Sequence, residues 1–205
     1  MIDFDALSNL LDKFNKKYRH KVRSAMKTAA NVITRPSFSN GVKFHNVYTF
    51  QCVGPDGNVR WTEAVNNLVT SAGLNDLLTQ YFKGSSYTAA FSAGLIDNSG
   101  FSSIAAGDTA ASHSGWTEST AYSNSTRPTI TLGSASGGSI DNSGSVATFT
   151  INATATINGA FVSTSSTKGG TTGTLYGAAS FGTARSVLSG DTINLTCSFS
   201  ATSAY

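Results

Sequence analysis

His113 stands between Ser112 and Ser114, five residues after Asp108, which supplies the residue types of a nucleophile, a base and an orienting carboxylate. A triad is defined by spatial geometry, and this segment lacks the strained Gly-x-Ser-x-Gly turn that lifts a serine into the open. It reads as a polar loop. Lys168-Gly169-Gly170-Thr171-Thr172-Gly173 has the look of a phosphate loop, but it lacks a closing Gly-Lys-Ser/Thr and leads into a strand. No helix N-terminus would face a phosphate there. His20, His45 and His113 fall in three different elements without companion ligands, so no zinc site is expected. Trp61 and Trp116 could stack on a sugar or a base, yet an aromatic at a strand position is more often packed in a core or on a sheet face. The expectation is a protein with no catalytic, metal or cofactor site.

Cys52 and Cys197 are too far apart in the chain for metal or redox spacing, and each sits on the apolar phase of a predicted strand. Both read as reduced core residues. The N-terminal MIDFDALSNLL has no charged stretch followed by an apolar one, and no run approaches the roughly 18 apolar residues of a membrane span. Synthesis in the cytoplasm, with no membrane partner, is expected. Sequons at Asn124, Asn152 and Asn194 are read as coincidence in a chain this rich in Ser and Thr.

The elements that must position these residues divide by charge. Residues 1–83 carry eleven of the fourteen Lys and Arg and six of the eleven Asp and Glu, a net +5; residues 84–205 carry three and five, a net −2. Half of the second part, 61 of 122 residues, is Ser, Thr or Gly. Its surface is therefore kept wet by hydroxyls rather than charges. Strand alternation persists through it, which argues against disorder.

In the first part, Phe4, Leu7, Leu11, Phe14, Tyr18, Val22, Ala25, Ala29 and Val32 draw one stripe down a helix over residues 3–34. Arg35-Pro36 ends it, because the residue before proline avoids αR. The opposite face is basic, with Lys13, Lys16, Lys17, Arg19, Lys21, Arg23 and Lys27. So long an amphipathic helix needs a partner surface. Docking on protein through Phe4, Leu7, Leu11, Phe14 and Tyr18, steered by Lys16, Lys17, Arg19, Arg23 and Lys27, is preferred to nucleic acid or an anionic membrane.

Residues 37–205 read as one β domain that opens with a hairpin and a helix. Apolar residues at Val42, Phe44, Tyr48, Phe50 and Cys52, a Gly54-Pro55-Asp56-Gly57-Asn58 turn and the run Val59–Glu63 predict a hairpin over 42–63. Helical spacing through Val65, Leu68, Val69, Ala72, Leu77, Leu78 and Tyr81 predicts a helix over 64–82, split at Gly73 and recapped at Asn75. Ala147 to Ile157 alternates as one long strand or as a strand bent between two sheets. Ile193, Leu195, Cys197, Phe199 and Ala201 alternate likewise. Further strands are expected near 86–96, 116–122, 127–133, 159–165 and 173–181. Regularly spaced turns between them favour an antiparallel β-sandwich. Phe149, Ile151, Ile193, Leu195 and Phe199 should be inside, with Thr148, Thr150, Asn194 and Ser198 outside.

Certain stretches carry a resemblance. They are Asn67 to Leu78, Tyr87 to Phe91 with Gly94-Leu95-Ile96, Ala106 to Glu118, Tyr122 with Thr126-Arg127-Pro128, Phe149 to Asn152 with Gly159-Ala160-Phe161, Lys168 to Gly177, and Ser189 to Thr192. In order and spacing they resemble a family of small structural proteins of tailed bacteriophages, over about residues 60–203. Gly115-Trp116-Thr117-Glu118 with Tyr122 and Thr126-Arg127-Pro128 is the most specific part. The resemblance implies an Ig-like or related β-sandwich present in many copies in the virion, assembled in the host cytoplasm. It implies no catalytic or cofactor residue. Family members are regarded as head decoration (cement) proteins or as tail-associated proteins. A decoration protein that binds major capsid or other virion subunits, with homo-oligomers in the particle, is the leading expectation. A tail or fibre module that binds a host receptor is the alternative.

Overall fold

The computed structural model describes residues 13, 16, 41–83 and 90–204. The expected helix over 3–34 lies outside the described residues, and so do Phe4, Leu7, Leu11, Phe14, Tyr18, Lys17, Arg19, Arg23 and Lys27. Of that segment only Lys13 and Lys16 are described, both exposed on helical backbone. The chain divides into two units, Val42–Thr202, and Met1–Gly41 together with Ser203–Tyr205. The described strands and the helix fall almost wholly in the first.

The hairpin forms as its sequence requires. Strand β1 (Gly41–Val53) pairs antiparallel with β2 (Val59–Asn66), with Tyr48 opposite Val65, Phe50 opposite Glu63 and Cys52 opposite Trp61. The turn closes by Gly54 N–H donating to Asn58 O at 2.9 Å and Gly57 N–H to Gly54 O at 2.9 Å. Asp56 accepts from the side chain and backbone of Asn58, which holds its carboxyl below the usual range. Tyr48, Phe50 and Cys52 are buried on one face, but the alternation fails at Val42, which is exposed.

The helix is shorter than its periodicity suggested. Ala64 and Val65 continue the hairpin ladder opposite Thr49 and Tyr48, and Leu68–Val69 form β3 against β10 (Leu175–Val187). Helix α1 therefore spans Ser71–Lys83. Pairing decided the outcome, because apolar residues at three- and four-residue steps also satisfy a strand whose neighbours supply hydrogen bonds. Buried Thr70 caps α1, its Oγ1 accepting from Gly73 N–H at 3.0 Å while it donates to Leu175 O. Gly73 does not split the helix. A Cβ there would lie 2.2 Å from Tyr176 O, so glycine is what lets the first turn rest directly on β10.

The remaining strands are β4 (Phe91–Asp97), β5 (Glu118–Ser119), β6 (Thr129–Ile130), β7 (Ser139–Asp141), β8 (Ala147–Thr150), β9 (Ala155–Ser163) and β11 (Thr192–Ala204). They build two antiparallel sheets. One has the order β2-β1-β11-β7, with β8 also on β11; the other has the order β3-β10-β9-β4-β5, with β6 also on β4. Tyr48, Phe50, Phe149, Ile193, Leu195 and Cys197 of the first sheet share one apolar core with Leu95, Ile157, Val162, Ala179 and Phe181 of the second. Burial of that common surface is the main favourable term in folding.

The stretch from Ala147 to Ile157 takes the bent course. Its first part pairs with β11 in one sheet and its last with β10 in the other, and Ala153 is exposed at the crossing. Ile151, Ile193 and Leu195 are buried as their phase requires, and Thr148, Thr150, Asn194 and Ser198 are partly or fully exposed. Phe199 differs. It is only half-buried, against Phe91 and Tyr176 at the end of the core. Beyond β3, the β10–β9 ladder is interrupted between Ser180 and Arg185. There the Arg185 guanidinium meets Glu63, and Trp61 Nε1 donates to Ser186 O at 3.3 Å, tying β10 to β2.

Cys52 and Cys197 are both free and buried. Burial, and next the charge of Asp191, push the Cys52 thiol up to about 11, and burial drives Cys197 higher. Burial also holds the Tyr48 and Tyr122 hydroxyls above their ordinary 10.0. In the unfolded chain these thiols ionise near 9.0, so above that pH the unfolded state binds fewer protons and stability falls as pH rises. Thermal melts should be level with respect to these groups below pH 9 and drop through pH 9–11. Iodoacetamide at pH 8 should leave both thiols unmodified until the chain unfolds. Modification of the native protein at the unfolded rate would contradict this burial.

Candidate functional site

The polar residues of the second half converge on one cluster. β5 carries Glu118 beside Ile96 of β4, while Arg127 lies just ahead of β6, fixed by its own N–H to Ser166 O at 2.8 Å and by Pro128 O accepting from Ala93 N–H at 2.9 Å. Both side chains are nearly closed to solvent, at 3% for Arg127 and 7% for Glu118. They meet side by side, with Nε to Oε1 at 3.0 Å and Nη2 to Oε2 at 2.7 Å. A bidentate fork of this kind is the strongest geometry available to an arginine and a carboxylate.

The pair is also the anchor of a loop. Arg127 donates from Nη1 to Ser165 O at 3.1 Å and from Nη2 to Gly170 O at 2.9 Å, and its guanidinium lies 4.8 Å over the Phe161 ring. Glu118 accepts from Gly169 N–H at 2.8 Å and from Tyr122 Oη at 3.2 Å. Gly169 has φ +71°, a conformation that presents its N–H to the carboxylate and that glycine adopts without strain. Lys168 closes the loop over Tyr122, donating to Tyr122 O at 2.9 Å and Asn124 O at 2.8 Å, with Nζ 4.6 Å from the ring centre.

Trp116 is buried beside this cluster, 5.1 Å from Phe161, and its Nε1 donates to Asp108 Oδ2 at 2.9 Å. Asp108 Oδ2 also accepts from Ala105 N–H at 2.9 Å. His113 stacks on Trp116 at 3.9 Å, with Nδ1 2.9 Å from Trp116 O. The imagined triad is therefore not assembled. Asp108 holds an indole, His113 turns to a carbonyl, and Ser112 N–H donates to Thr109 Oγ1. The phosphate-loop likeness dissolves for a similar reason, since Gly169 N–H and Gly170 O already serve Glu118 and Arg127.

A cleft of about 180 Å³ opens over the cluster, lined by His113, Trp116, Thr117, Arg127, Phe161 and Thr171 among others. That is below the roughly 300–1,000 Å³ of a small-molecule site. Among the described residues no group of three His, Cys, Asp or Glu could hold a metal ion, and no helix is long and apolar enough to cross a membrane. His45 and His113 stand apart, and Trp61 sits half-buried against Phe181 on the core.

A second buried charge sits where β11 begins. Asp191 is fully buried and its Oδ2 accepts from Leu188 N–H at 2.8 Å and from Cys52 Sγ at 3.7 Å. Arg60 Nε lies 2.8 Å from Oδ1 but is not aligned for a hydrogen bond, so the contact is one of charge. Counting Asp97 on Ser99 N–H and Asp141 on Ser143, each of the three basic and five acidic side chains after residue 83 is engaged within the fold. The scarcity of charge in this half was the signal that could have revealed the cluster in advance. No protein-family model, curated protein or solved structure matches this chain.

Proposed function

We propose that this chain is a structural protein of a tailed-bacteriophage virion, built on an Ig-like β-sandwich, that decorates and stabilises the head. The observation that carries the reading is the internal use of charge. Trp116, Glu118, Tyr122, Arg127, Lys168, Gly169 and Gly170, the stretches that resemble phage structural proteins, act together as a clamp that fixes loops to the sheet. Such a clamp builds a rigid tile and leaves its charged groups already partnered, whereas an enzyme would keep a base or nucleophile open to substrate. A surface of hydroxyls with little charge suits close packing of many copies.

In this reading the basic segment 3–34 is the docking arm. Its positive face is steered by an acidic virion surface, an attraction screened over about 10 Å at 0.1 M salt. Leu11→Asp with Phe14→Asp in the full chain should abolish incorporation, measured as copies per purified particle by quantitative mass spectrometry, while the free protein keeps its melting temperature. A particle reconstruction should place the wild-type chain in many copies over the head. Placement at the tail tip, or absence from the particle, would reject the reading.

A further inference from the structure

We infer that the outer face of α1 is a self-association surface, on which a second copy of this chain docks through its own α1. The face contrasts with residues 84–205, half of which are Ser, Thr or Gly. Leu74, Leu78, Tyr81 and Phe82 recur at the three- and four-residue steps of one helix face. They are 38%, 50%, 80% and 74% exposed. The inner face, by contrast, is anchored: Gly73 rests on β10 and Leu77 packs on the core. Tyr81 and Phe82 already contact each other edge to face at 5.0 Å, so the aromatic pair is preformed.

The chemistry of the face selects its occupant. Ser71 and Asn75 complete it, so it carries no charge; Asp76 is turned partly inward, accepting from Gln80 Nε2 at 3.3 Å, and Lys83 lies at the end of the helix. A nucleic acid or an acidic protein would find nothing here to pair with. An identical uncharged face meets no like-charge repulsion and satisfies the self-complementarity that a two-fold contact demands. Antiparallel pairing about Leu78 sets Leu74 of one copy against Phe82 of the other, small against large, at both ends of the contact. Covering the face on both copies removes about 1,000 Å² from water, the lower bound of a specific interface. The contact is therefore weak in free solution and gains strength where many copies are held side by side. It does not depend on the virion reading, since it concerns the isolated chain.

Sedimentation velocity on the full chain from about 1 μM to about 1 mM tests it. The wild type should pass from monomer to dimer with a dissociation constant of about 10–100 μM. Leu78→Asp, and separately Tyr81→Ser with Phe82→Ser, should weaken dimerisation at least about tenfold at an unchanged melting temperature, because these side chains are exposed. A residue on a two-fold axis meets itself. The Leu78→Cys chain should therefore form a covalent dimer under mild oxidation, with both native thiols buried and silent. A wild-type chain that stays monomeric throughout would overturn the proposal, as would a dimer that survives Leu78→Asp. A monomer that instead sediments with anionic phospholipid vesicles through these residues would assign the face to lipid and overturn it equally.

Discussion

Arg127→Met is expected to lower the unfolding free energy by about 3–5 kcal/mol, the usual penalty for leaving a buried carboxylate without its partner. The loss has two parts. Glu118, 7% exposed, keeps Gly169 N–H and Tyr122 Oη as partners but loses the only full positive charge on its fork. Ser165 O and Gly170 O lose their donors, which frees the loop that Lys168 covers. Arg127→Lys should recover little, because a single ammonium cannot serve two carboxylate oxygens and two carbonyls from the position of a planar fork. Removing both charges with Arg127→Met and Glu118→Leu relieves the unpaired carboxylate but not the orphaned carbonyls. The double variant should thus fall between Arg127→Met and the wild type, with a coupling measurable in a double-mutant cycle. The pair is closed to solvent, so the Arg127→Met difference should be nearly the same at low salt and at 1 M salt. Arg185→Ala, at a partly exposed pair with Glu63, should cost no more than about 1 kcal/mol and less as salt rises. Denaturant unfolding at two salt concentrations measures all of these. A salt-sensitive or sub-kilocalorie effect of Arg127→Met would show that the pair is solvated.

What could be read in advance follows from how local each signal is. Tyr48, Phe50 and Cys52, or Ile193, Leu195 and Cys197, declare a strand because alternation is a property of neighbours in the chain. The hairpin turn is equally local, held by Asp56 and Asn58 within its own five residues. The start of α1 was not legible, since Val65, Leu68 and Val69 fit a helical stripe until β1 and β10 offer them ladder partners. The same spacing ran the exposed Leu78 and Tyr81 together with the core-packed Leu77, so it did not separate the two faces of the helix. β5 and β6 are two residues each and exist only through pairing with β4. The clamp joins residues 118, 127 and 165–170, positions that no period relates. Its one advance sign was that a segment so poor in charge kept an arginine and a glutamate nine residues apart.

Phe149→Ala should destabilise the fold by about 3–5 kcal/mol, and by clearly more than Phe199→Ala, although both aromatics sit on the apolar phase of their strands. Phe149 is fully buried opposite Ile193 in the β8–β11 ladder and meets Tyr122 edge to face at 5.1 Å. Its removal leaves a void bounded by strands of both sheets, which cannot close without moving one sheet relative to the other. Phe199 is only half-buried, against Phe91 and Tyr176, so part of its ring already faces solvent and its removal leaves less enclosed space. The same atoms are deleted in both variants, and Phe149 loses more on both counts: more of its surface is withdrawn from water and the void it leaves is enclosed. A domain of this kind holds about 5–15 kcal/mol in total, and the Phe149 loss is enough to populate the unfolded state well below the wild-type melting temperature. Chemical denaturation of the two variants side by side makes the comparison. Equal losses would mean that the two sheets repack around position 149 as freely as the half-exposed site does around 199, and that their shared core is looser than its burial implies.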